Sequence, residues 1–115
     1  MVTSQLQDRI LMLAIEGEFS ADEFQAELTR WIDTRLDDFD GYIINLNQMT
    51  KHPAMEQRKA AAYEKNQTIN KPHVIVGKDE KIARLLKIFE RFTKADVVKY
   101  FTNDEDAKTW IKSQV

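Results

Sequence analysis

Apolar positions along this chain fall into two kinds of pattern. Short runs, ILMLAI at 10–15, YIINL at 42–46 and VIV at 74–76, read as strands; ILMLAI is apolar enough to be central, and the continuous β-branched VIV suits burial on both faces. Between them, apolar residues recur every three or four positions, the mark of helices with one inward stripe. The most organised stretch runs from Lys71 to Phe101. Val74, Ile75 and Val76 are opened by Pro72 and closed by Gly77. Asp79 then supplies an N-cap side chain, and Ile82, Leu85, Leu86 and Phe89 form the stripe of a helix whose other faces carry Lys81, Arg84, Lys87 and Arg91. Val97, Val98, Tyr100 and Phe101 make the next strand. A strand, a crossover helix and a strand of this length predict a right-handed parallel unit.

The remainder of the chain is read as cover for that unit. Val2 to Leu6 is a short edge strand, and Gln7 and Asp8 turn into a stronger strand from Arg9 to Glu16, which Gly17 ends. Ser20 and Glu23 form a Ser-x-x-Glu capping box. Phe24, Leu28, Trp31 and Ile32 make the helix that follows amphipathic to Thr34. TRLDDFDG is a turn, Gly41 opens the next strand, and Asn47 to Pro53 form a loop. Pro53 suits the first turn of a helix reaching Asn70. Its sparse pattern (Met55, Ala62 and Ile69, amid Ala60 and Ala61) predicts a small-residue face packed closely on the sheet. Thr102 and Glu105 repeat the capping box at the terminal helix. There Asp104 and Asp106 sit at the positive end, Lys108 and Lys112 nearer the negative end, and Ala107, Trp110 and Ile111 face inward. The order predicts an α/β domain over residues 1–115, with a mostly parallel sheet and an antiparallel N-terminal edge.

Composition narrows the function classes. A chain of 115 residues with 43% hydrophobic content has the size of one domain with a core. A net charge of −2 with mixed signs argues against bulk nucleic-acid binding. The absence of cysteine excludes disulfides, thiol chemistry and cysteine metal sites. No apolar run approaches the roughly 20 residues of a membrane span, and the first residues lack a signal-peptide layout. A cytoplasmic protein is the expectation.

Catalytic and metal-binding patterns are weak. The serines are Ser4, Ser20 and Ser113, one a cap and two near the termini, so a serine nucleophile with a histidine base has little support. His52 and His73 match no zinc spacing. The DDFDG run lacks an acid at Leu36 and a closing glutamate at Asn47, so it reads as a solvated Asp-Gly turn rather than a calcium loop. No enzymatic activity, metal or cofactor is expected. The carboxyl ends of the strands are the stronger candidates, since ligands of open α/β sheets favour that crevice. Asn45, Asn47, Gln48, Thr50, Lys51 and His52 follow one strand, and Gly77 and Lys78 the next. Both segments lead toward helix N-termini, which favour anions. The basic side of the helix carrying Arg84 could meet an acidic partner or anionic lipid.

The stretch VIVGKDEKIARLLKIFERFTKADVVKYFTNDEDAKTWI resembles the C-terminal half of the SpoIIAA-like proteins, within the wider sulfate-transporter and anti-sigma-factor-antagonist (STAS) fold. It has an apolar strand with a glycine, a helix-to-strand passage ARLL…FTKADV, and a terminal helix bearing A-x-x-W-I. Upstream, GEFSADEFQAEL and GYIINLNQMTKHP resemble that family's first helix entry and central strand. A more distant similarity is to lipid-transfer domains. The resemblance implies a mixed, mostly parallel sheet of four to five strands, with about four helices packed mainly on one face. Anti-sigma-factor antagonists carry a D-S-x-G-type switch after the central strand, where a serine or threonine is phosphorylated. Here that position reads Asn47-Gln48-Met49-Thr50-Lys51-His52-Pro53, without serine or glycine, so the switch is not carried over.

The leading expectation is a small non-enzymatic domain that binds a protein partner through the 47–53 segment and the basic helix. The alternative is a carrier or sensor of a small apolar or lipid-like ligand, lined by Met49, Met55, Tyr63 and Phe92, or of an anionic one. An edge strand or an exposed aromatic face would support a homodimer.

Overall fold

Asp8 and Arg9, with φ of 50° and 63°, turn the chain through a two-residue hairpin of the kind whose twist matches the strands it joins. In the computed structural model, which describes residues 1–51, 53, 55, 56, 58–60, 71–77 and 98–114 (98–100 by backbone alone), the hairpin links β1 (Val2–Gln7) to β2 (Ile10–Glu18). Helix α1 (Ala21–Arg35) and a short 3-10 turn (Leu36–Asp38) lead to β3 (Gly41–Lys51). Residues 55, 56 and 58–60 are helical. Strands β4 (His73–Val76) and β5 (Val98–Phe101) precede helix α2 (Asp104–Ser113). The five strands lie in the order β1-β2-β3-β4-β5, with β1 antiparallel to β2 and every other pair parallel. The predicted mixed sheet, with its antiparallel edge at the N-terminal strands, is the one observed.

Side chains alternate across this sheet, so each central strand feeds two cores. Leu11, Leu13, Ile15, Tyr42, Ile44, Leu46 and Ile75 point to one face, where they meet Phe24, Leu28 and Trp31 of α1 together with Ala60. Ile10, Ile43, Val74 and Val76 point to the other, against Ala107 and Ile111 of α2. This is why 10–15 and 74–76 read as unbroken apolar runs and why 42–46 is broken only by Asn45. Helix α1 and the segment ending at Ala60 share a face, in line with packing mainly on one side. The terminal helix covers the opposite one, because two-sided strands leave a second apolar surface to bury. The predicted stripe of Ile82, Leu85, Leu86 and Phe89 lies outside the described residues.

Four local expectations need correction. Gly17 does not end β2: at φ +73° it sits within the strand, beside a register shift against β3, and the strand continues to Glu18. The loop expected from Asn47 is strand as far as Lys51, because that longer β2 supplies its ladder. Phe39, assigned to a turn, is fully buried, edge-on to Trp31 at 6.5 Å, with Lys71 Nζ 5.1 Å above its ring. The cap of α2 is Asn103 rather than Thr102, its Oδ1 accepting the Asp106 N–H at 2.9 Å. At α1 the predicted cap is present, Ser20 Oγ accepting the Glu23 N–H at 3.3 Å. The Glu23 carboxylate lies 3.1 Å from the N-terminal ammonium.

Candidate functional site

β3 is eleven residues long and β4 four, and the two pair only from Tyr42 to Asn45. The end of β3 therefore runs on past β4, supported on its other side by β2. That support is irregular. Ala14 lies opposite Asn45 and Glu16 opposite Gln48, then Gly17 opposite Met49 and Glu18 opposite Lys51, so β3 carries one surplus residue at each shift. Such bulges bend a strand and re-aim its side chains.

The first irregularity is satisfied locally. The Asn47 N–H donates to Asn45 Oδ1 at 2.9 Å, while Asn45 Nδ2 donates to Asp104 Oδ1 at 3.1 Å. Asn45 thus ties the bend in β3 to the first turn of α2. At the far end the Phe19 N–H donates to Lys51 O at 2.8 Å, which holds the strand to the chain entering α1. Met49 packs inward against the α1-side core. Asn47, Gln48, Thr50 and Lys51 are exposed. Four predicted residues are thus brought together on one anchored, outward-facing strand end.

The other predicted positions fare differently. His52, Lys78 and Arg84 lie outside the described residues, as do Tyr63 and Phe92 of the ligand-lining set. Gly77 is buried, and its N–H donates to Phe101 O at 3.0 Å, so this amide serves the sheet rather than an anion. Met55 is 69% exposed and lines no interior, which corrects its assignment to an apolar ligand cavity. His73 is buried, with its ring stacked on Tyr42 at a centroid distance of 4.8 Å and an interplanar angle of 7°. Among the described residues no group of three or more His, Cys, Asp or Glu side chains could hold a metal ion. No described helix is long and apolar enough to cross a membrane.

One feature escaped the sequence. A cleft of about 510 Å³ beside the end of β3 is lined by Glu16, Glu18, Glu23 and Glu56, together with Pro53. Glu56 Oε1 also accepts the Ala21 N–H at 3.3 Å, at the positive end of α1. These acids are up to forty positions apart in the chain, and only the β2–α1 corner gathers them.

No family model and no curated protein matches the chain in sequence. Solved structures do match its shape. RsbS from Moorella thermoacetica superposes with a TM-score of 0.74 at 16% identity, over 98% of this chain and 96% of that one. A putative anti-sigma factor antagonist from Thermotoga maritima gives 0.69 at 13% identity, covering 96% and 94%. A protein of the DUF3478 family with a SpoIIAA-like fold, from Shewanella loihica, gives 0.63 at 14% identity, covering 96% and 92%. Each of these superpositions spans nearly the whole of both chains, and the chain accordingly has a SpoIIAA-like fold of the STAS type.

Proposed function

We propose that this chain is a small, non-enzymatic, cytoplasmic regulatory domain that acts by binding a protein partner through the end of β3. The observation that carries the reading is the exposed, twice-bulged segment Asn47–Lys51, held from beneath by Met49 and at its ends by Asn45 and Phe19. A polar surface on a rigid strand end can be recognised without being reshaped. The reading is also supported by the fold, which solved structures of anti-sigma factor antagonists share.

Gln48, Thr50 and Lys51 form the centre of the proposed surface. His52, Lys78 and Arg84 complete the surface assigned from the sequence, while Gly77 of that set is buried with its amide bonded in the sheet and is left out. The proposal includes no phosphorylation switch, since the strand end carries no serine and Thr50 lacks the family's motif context. Replacing Gln48, Lys51, His52 and Arg84 singly tests it. At least one variant loses partner capture while keeping the wild-type melting temperature. Retention of every partner by all four variants contradicts the proposal.

A further inference from the structure

β1 is the outer strand of the sheet, and among the described residues none pairs with its outer side. One pair of bonds shows which backbone groups face outward. The Met1 nitrogen donates to Glu16 O at 2.7 Å, and the Glu16 N–H donates to Met1 O at 2.8 Å. Met1 and Glu16 are therefore a hydrogen-bonded pair. The alternation of an antiparallel ladder makes Thr3–Ala14, Gln5–Met12 and Gln7–Ile10 the next such pairs. The N–H and C=O groups of Val2, Ser4 and Leu6 consequently point away from the sheet. Such edges are ordinarily blunted by charge, proline or a bulge. The sequence VTSQLQ has no charge and no proline, and its six pairs with β2 run without a register shift.

The geometry points to a second copy of this chain as the occupant, paired antiparallel across the edge of β1 with Ser4 on the two-fold axis. In that register Ser4 faces Ser4, Val2 faces Leu6 and Thr3 faces Gln5. Val2 and Leu6 already pack on the α1-side core, and the axis joins two such cores. Thr3 and Gln5, both exposed on the opposite face, form the polar cross-strand pair. Moving the register by two residues puts Val2 opposite Ser4 and shortens the ladder. The groups beside the axis are balanced as well. Ser4 Oγ donates to Glu27 Oε2 at 2.9 Å and accepts from Arg30 Nη2 at 3.2 Å, so each copy brings one acid and one base. An interface resting on one six-residue strand belongs to the small, weak class. The inference is independent of the β3 surface.

Sedimentation velocity on the full chain at roughly 0.1 mM tests it. The expected species has twice the 13.5 kDa chain mass. The double variant Thr3→Lys/Gln5→Lys places like charges opposite each other and is expected to sediment as a monomer with an unchanged melting temperature. Thr3→Lys/Gln5→Glu places opposite charges in register and is expected to remain dimeric. A monomeric wild type overturns the inference. So does a dimer that survives the lysine pair, or one lost equally in both double variants.

Discussion

Arg9 and Asp40 form a two-pronged ion pair, with Nε to Oδ2 at 3.0 Å and Nη2 to Oδ1 at 2.9 Å. Arg9 Nη2 also donates to Asp37 O at 2.9 Å, and the Asp40 N–H donates to Arg9 O at 2.7 Å. The β1–β2 hairpin is thereby fastened to the segment entering β3. The Arg9 hydrogen bond is the main cause that holds the Asp40 carboxyl below its ordinary range, and Arg9 is correspondingly raised.

This pair sets an acid limb in stability. A depressed carboxyl contributes stability that is present above its unfolded-state pKa and is lost as pH falls through the lower folded value. Thermal melts of wild type and Asp40→Asn should therefore differ most near neutral pH and converge in acid. Because the pair is solvated, added salt should narrow the gap at neutral pH. A gap that widens toward low pH contradicts this account.

Gly41 is required by close approach. A Cβ built there would lie 2.7 Å from Ile111 Cγ2 and 2.8 Å from Pro72 O. The carbonyl cannot swing aside, since it accepts the Tyr42 N–H at 3.1 Å. Gly41→Ala should lose about 1–3 kcal/mol in denaturant unfolding through overpacking. At Gly17 the space is open and the constraint is φ +73° alone, so Gly17→Asn should be milder than Gly17→Val. Equal costs for those two replacements would remove the conformational argument.

The α2 cap can be tested one residue at a time. Asn103→Ala should cost about 1 kcal/mol, while Thr102→Ala should stay near wild type. The reverse order of melting temperatures would restore the cap assigned from the sequence.

These contrasts show where the sequence was legible. Val74, Ile75 and Val76 announced a central strand because both of their faces are buried, and continuous β-branched residues have no other common use. Ser20 announced a helix start because its partner lies three residues away. Thr102 misled because Asn103 offers a better acceptor, and spacing alone cannot rank two adjacent caps. Phe39 was hidden by the acids around it, which satisfy solvent and Arg9 while the ring turns inward. The strand end from Asn47 to Lys51 read as loop because bulged, exposed strand has no period-two signature. The glutamates of the neighbouring cleft are brought together only by tertiary structure.

The central claim is that the end of β3 is a protein-binding surface, and site-directed photocrosslinking tests it most directly. A photoreactive residue replaces Gln48 or Lys51 in turn, with exposed Thr109 of α2 as control. The account predicts one and the same protein adduct from positions 48 and 51, suppressed by excess unmodified chain and absent from position 109. Equal adducts from all three positions, or none from 48 and 51, would contradict it.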